Sequence, residues 1–149
     1  MYGGHLEPTR LPWAWAVERL AAAHSYWIAT TWPDGRPHTR PVWAVWLEGV
    51  AYFSTGSLAA ANLAHSPEIT VHLESGHEVV ILEGRAEVVA DGPLVARVCA
   101  AYNAKYTEDL TPETLPGPFY AVRPQVAFGW IAADTFTDAG ALFHGTATR

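Results

Sequence analysis

At 149 residues the chain suits one domain and can bury roughly 70% of the surface its unfolded form exposes. Half of the residues are hydrophobic, only 16% are charged, and the formal net charge is −6. One lysine, Lys105, and eight scattered arginines offer no clustered positive surface, which argues against nucleic acid as a partner. The single cysteine, Cys99, cannot make an internal disulfide and reads as a small buried hydrophobe. MYGGHLEPTR lacks the apolar stretch of a signal peptide, and no run reaches membrane-span length. The expectation is a soluble cytoplasmic protein.

The first element, PWAWAVERLAAAH, has helical spacing, with Trp13, Val17, Leu20 and His24 on one face and start signals at Thr9 and Pro12. SYWIATT then reads as a strand, and WPDGRP as a turn centred on Asp34-Gly35. HTRPVWAVWL follows, then Glu48-Gly49 and VAYFST, giving a three-strand meander. The middle strand is apolar on both faces, with Val42, Ala44 and Trp46 on one and Trp43, Val45 and Leu47 on the other. It needs cover on both sides, from a closed barrel or a second copy.

Ser54 to Pro67, STGSLAAANLAHSP, takes that meander into a short alanine-rich helix. Hydroxyls, a glycine and free N–H groups at a helix start are the parts of a phosphate cradle. The same groups also serve as an ordinary cap. EITVHLE and EVVILEGRAEVV form a further hairpin, and LVARVCAAYNAKY a second helix with Leu94, Val98 and Tyr102 spaced four apart. After the loop TPETLPGP come FYAVRP and QVAFGWIA, read as two strands, and GALFHGTATR as a last short one.

Tight hairpin spacing favours a predominantly β domain, an antiparallel barrel or sandwich of about six to seven strands with short helices. Within one domain spanning 1–149, residues 1–24 form a helical segment, 25–90 the barrel core, 91–118 a helix and loop, and 119–149 the C-terminal strands. No Gly-x-Gly-x-x-Gly follows a strand, so a Rossmann site is not expected. His72, Glu74, His77 and Glu78 lie close in sequence but match no zinc spacing, so no metal is expected. His38 reads as a surface strand histidine, with proton donation as the alternative.

The blocks DGRPHTRPVWAVW, YFSTGSLAAANLAHSP and ITVHLESGHEVVILEGRAEVV, in that order, resemble the pyridoxamine 5′-phosphate oxidase-like superfamily. The similarity is greatest to its flavin- and deazaflavin-dependent branch and runs from about Tyr26 to Val89, resuming from Phe119. It implies a split-barrel homodimer with cofactor sites at the interface, holding FMN or the deazaflavin coenzyme F420. The strand motif Arg40-Pro41-Val42-Trp43 would lay its backbone against the ring. Ser54, Thr55, Gly56 and Ser57 would hold the phosphate, followed by Asn62 in the Asn-Leu-x-x-x-Pro block. Glu78 falls where the family often has a ring-contacting Gln. Trp130 and Arg149 match a Trp and an Arg contributed by the second subunit.

The departures are as informative. Where the family reads Ser-Arg-Lys-Ala or Ser-x-Lys-Ala, this chain reads Ser57-Leu58-Ala59-Ala60, and Val45 stands near a further family lysine. Of the phosphate cations Arg40 survives. A hydrogen bond to a charged group is worth about 1.5–3 kcal/mol, so losing two weakens phosphate binding by roughly 3–6 kcal/mol. That is about two to four decades of affinity. The ring and its side chain would then carry the grip, which handicaps the dianionic phosphate of FMN most. The singly charged phosphodiester of the deazaflavin is handicapped less, and its acidic tail could use Arg36 or Arg149. The implied function is oxidoreduction of a small, rather apolar substrate. The alternative is a non-catalytic barrel module that carries a flavin, haem or another planar ligand, or no cofactor at all. Pyridoxamine phosphate oxidation itself is disfavoured, because few cations remain to receive a phosphorylated substrate.

Overall fold

The structure, a computed structural model, describes residues 11–132 and 140–143. Seven strands and three helices follow one another as α1 Trp13–Ala22, β1 Ser25–Thr31, β2 Pro37–Leu47, β3 Val50–Phe53, α2 Ser57–His65, β4 Glu68–His72, β5 Glu78–Val88, α3 Gly92–Tyr106, β6 Tyr120–Ile131 and β7 Gly140–Phe143. The hairpins are where the glycines put them. Gly35 has φ 91° in the β1–β2 turn, and Glu48 (φ 50°) with Gly49 (φ 81°) makes the two-residue turn between β2 and β3.

All pairings are antiparallel, in the order β3-β2-β1-β4-β5-β6-β7, and β3 also pairs with β6. That last pairing closes a six-stranded barrel, with β7 added outside it along β6. The barrel core therefore runs past residue 90, because β6 supplies its closing strand. Nor are FYAVRP and QVAFGWIA two strands. They form one, in which Pro124 is accommodated at an irregularity opposite Glu83 and Gly84. Gly84 is there because a Cβ would stand 2.8 Å from the Arg123 carbonyl oxygen. Gly84→Ala will cost about 1–3 kcal/mol by overpacking against backbone, read as a lower denaturant midpoint.

Two apolar clusters hold the domain together. The barrel interior packs Tyr26, Ile28, Val42, Ala44, Phe53, Val71, Val80, Leu82 and Val122, plugged by Ala16 and Leu20 of α1 and Ala59 and Leu63 of α2. The α1 face differs slightly from the expected one: Ala16 is as fully buried as Leu20, Val17 is half-buried, and His24 lies beyond the helix. Outside the barrel, Val98, Cys99 and Tyr102 of α3 cover Val45, Val50, Tyr52, Phe119 and Ala121. Thus β2 is covered on its inner face by the barrel core and on its outer face largely by α3. Burial of each such large side chain contributes about 1.5–3 kcal/mol.

At the barrel's outer surface α3 is pinned to β2 through its last turn. The Tyr106 hydroxyl accepts from the Ala44 N–H at 2.9 Å and lies 2.5 Å from the His24 carbonyl. It bridges the β1–β2 ladder where the strands diverge. Lys105 donates to the Ala44 carbonyl at 2.6 Å, and burial lowers its pKa. No helix among the described residues is long and apolar enough to cross a membrane.

Candidate functional site: a strand edge beside a helix start

The β2 strand pairs with β1 along residues 37–43, whereas its pairing with β3 begins only at Ala44. Its other edge from 37 to 43 therefore has no strand partner among the described residues. β3 ends at Phe53, and Ser54, Thr55 and Gly56 carry the chain to α2 beside this edge. The arrangement offers backbone donors and acceptors along a strand next to a helix N-terminus.

Arg40 joins these pieces. Its Nη1 lies 3.9 Å from the position a Cβ on Gly56 would take, which sets the guanidinium against the helix start. Among the described residues it makes no ion pair. Gly56 caps α2 through its backbone, accepting from Ala60 at 3.2 Å, and among the described residues no side chain caps the helix. The first-turn N–H groups are thus left for an outside acceptor. Thr55 adds the sharpest sign: its Oγ1 is buried and has no hydrogen-bond partner among the described residues. A buried hydroxyl without a partner costs free energy, which a phosphate oxygen would recover. Ser54 lies beside Gly117, its Oγ 3.9 Å from the place of a Cβ there, so the 107–118 loop closes over this corner.

These residues fit the phosphate end of a flavin-type cofactor. Arg40, the Thr55 and Ser54 hydroxyls and the first N–H groups of α2 would hold it. When bound, the isoalloxazine-type ring supplies two-electron redox chemistry, while the chain binds, orients and keeps water out. Thr55→Val will separate the two roles of that hydroxyl. The apo protein will be as stable or slightly more so, since an unpaired buried polar atom is removed. FMN affinity, followed by absorbance titration, will fall by roughly 1.5–3 kcal/mol through loss of a charge-assisted hydrogen bond.

Other candidates fall elsewhere. Val42 is buried in the barrel core, so only its backbone faces the edge, while Pro41 and Trp43 project from the outer face. Asn62 is not in the cradle. It is 1% exposed, and its Nδ2 donates to Thr30 Oγ1 at 3.1 Å, tying α2 to β1. Glu78 is not free to meet a ring either. Arg19 of α1 grips it with bonds of 2.8 and 3.1 Å, which hold the carboxyl below its usual pKa. The partner lies 59 residues away, a contact no local pattern announces. Arg36, offered for an acidic tail, is paired with Asp34 at 2.8 Å and stacked over Trp32. Trp130 lies half-buried on the outer face, opposite Val79. Ser57 opens α2, and Arg149 lies outside the described residues.

Sequence reasoning missed the setting of Trp43. Its indole is 42% exposed yet rigidly backed, lying parallel to Tyr106 at 4.5 Å with His24 edge-on at 6.1 Å. The four-residue spacing from Tyr102 to Tyr106 on α3 was the available signal.

Comparisons with known proteins agree with this geometry. The structure is similar to a conserved hypothetical protein, Rv2991, from Mycobacterium tuberculosis, with TM-score 0.72 and 21% identity over 91% of this chain and 98% of that one. It is similar to an F420 reductase, with TM-score 0.56 and 22% identity over 74% and 94%. A FAD-binding protein from Mesorhizobium loti matches with TM-score 0.59 and 18% identity over 78% and 92%. A search of curated proteins found no match. The family model for pyridoxamine 5′-phosphate oxidase matches residues 15–139. The closed barrel, the strand edge beside α2 and this match over most of the chain make it a member of the pyridoxamine 5′-phosphate oxidase family.

Proposed function

We propose that this protein is a flavin- or deazaflavin-dependent oxidoreductase acting on a small, rather apolar substrate, with its cofactor held at a homodimer interface. The observation that carries the reading is the Thr55 hydroxyl, buried and unpartnered among the described residues, in the segment where Arg40 stands against Gly56 at a helix start without a side-chain cap among them. The family and an F420 reductase of the same fold support it. Substrate selection follows from the surface near the edge, where Trp43 offers a rigid apolar ring and its backing residues are aromatic.

The homodimer rests on the barrel's other outer face. α3 leaves uncovered the outer side of β1, β4, β5 and the second half of β6. There the register lines up Pro41, Trp27, His72, Ile81 and Phe128 in one row, each half-buried or exposed. With Trp43 and Val126 exposed nearby, this surface suits a second copy.

A non-catalytic ligand carrier is favoured instead by Leu58 and Ala59, which stand where the family has cations. Titration with riboflavin, FMN and F420, followed by hydride transfer to quinone and nitroarene acceptors, separates the two. The oxidoreductase reading expects turnover with one of the cofactors. Binding without turnover for every acceptor supports the carrier, and no binding of any of the three overturns the oxidoreductase reading.

A further inference from the structure

We propose that Gly117 determines cofactor specificity, leaving a passage for a cofactor whose phosphate carries a second arm. The inference rests on the flavin-type reading of the site and names the class of cofactor it takes. β3 lies between β2 and β6 in the barrel, and its pairing with β6 ends at Phe53 opposite Tyr120. From that pair one chain continues through Ser54, Thr55 and Gly56 into α2, and the other leads back through Phe119 and Pro118 to Gly117. Across the end of β3 the cradle therefore has two sides. Arg40 of the open β2 edge stands on one, against Gly56, and Gly117 stands on the other, against Ser54. A ring on the open edge reaches the phosphate position from the first side. Whatever the phosphate carries beyond the ring leaves by the second.

Among the described residues nothing in the fold asks for glycine at 117. The described glycines with positive φ are Gly35 and Gly49, so the backbone at 117 accepts a side chain. A Cβ there would meet, apart from its chain neighbours, one described atom within 4 Å, Ser54 Oγ at 3.9 Å, which is an ordinary contact. Gly84 is the contrast, since the Arg123 carbonyl oxygen at 2.8 Å shuts a side chain out. Glycine loses more conformational freedom on folding than any other residue, so a position with no need of it is expected to carry a side chain. Nor is the position loose. Pro116 and Pro118 flank it with fixed φ. Phe119, 1% exposed, is anchored in the α3 cluster, and its carbonyl accepts from the Val89 N–H at 2.8 Å. A held backbone with its side chain missing toward a cradle hydroxyl leaves room for a passing chain.

The charge at the cradle points the same way. Arg40 brings one positive charge, and Leu58 and Ala59 in the first turn of α2 add none. A phosphate with a second arm has a single charge and two free oxygens, which Arg40, the Thr55 hydroxyl and the first N–H groups of α2 can share. A monoester brings a second charge that these residues leave without a cation.

Absorbance or fluorescence titration of the full chain with riboflavin, FMN, F420 and FAD tests this, beside Gly117→Ala and Gly117→Val. The unmodified protein is expected to bind F420 or FAD more tightly than FMN, and which of the two binds identifies the arm. Gly117→Val is expected to weaken that binding at least about tenfold while riboflavin and FMN stay within about twofold, with Gly117→Ala between. Thermal midpoints should hold, and Gly117→Ala, whose Cβ fits at an ordinary distance, keeps the test decisive should valine disturb the loop. If FMN weakens in step with the larger cofactor, or neither weakens, the proposal falls. Binding of FMN with neither F420 nor FAD also overturns it and leaves the flavin-type reading standing. No binding of any of the four sinks that reading and the proposal together.

Discussion

Replacing Leu58 with arginine is expected to tighten FMN binding by about 10- to 150-fold while leaving riboflavin binding unchanged. The factor is one charge-assisted hydrogen bond, about 1.5–3 kcal/mol, expressed as affinity. Leu58 is the second residue of α2 and half-buried, so its side chain leaves the helix at the turn whose N–H groups are uncapped. Arginine there would carry a forked donor to the phosphate end without entering the barrel. Arg40→Ala is the mirror experiment: FMN affinity falls by a similar factor and riboflavin affinity holds. The comparison between ligands decides the matter, because riboflavin has the ring and ribityl chain but no phosphate. If both ligands gain or lose together in either variant, the phosphate is not at the start of α2. Absorbance or fluorescence titration gives both constants in one buffer.

Much of this was legible in the sequence because it is local. Asp34-Gly35 and Glu48-Gly49 mark the two hairpins, and strand alternation around them identifies β1 and β2. Ser54 to Ser57 are contiguous, so a strand end running into a helix start could be read without any long-range contact. What the chain order hides is which distant groups meet. Nothing local says that Arg19 will capture Glu78, or that Asn62 will turn inward to Thr30. Pro124 argues locally for a break, yet β6 runs through it, opposite a Gly84 whose lack of a side chain lets the two backbones approach closely. Trp43 reads equally well as core or wall, since its exposure depends on how far α3 extends over the sheet. The pattern of β2 asks for cover from a closed barrel or a second copy; the barrel core covers one face, and α3, which that reading does not name, covers most of the other.

Restoring the second family cation, by Ala59→Lys, is expected to fail. Ala59 is 0% exposed and packs in the barrel interior beside Leu63. Lysine at that position must place a long chain in a filled core and either bury its charge or distort α2 to release it. Burying an unpaired charge costs several kcal/mol, and overpacking adds roughly 1–3 kcal/mol. Stability should therefore fall by at least about 3 kcal/mol. The denaturant midpoint and the thermal midpoint will both drop, and FMN affinity will not rise. The contrast with Leu58→Arg one residue earlier is the point of the experiment, because the two substitutions add the same charge to the same helix turn. Should Ala59→Lys instead fold normally and bind FMN more tightly, α2 must be rotated from the orientation that puts Ala59 inward and Asn62 against Thr30. In that case the placement of the cradle on Arg40 and Thr55 would fall with it.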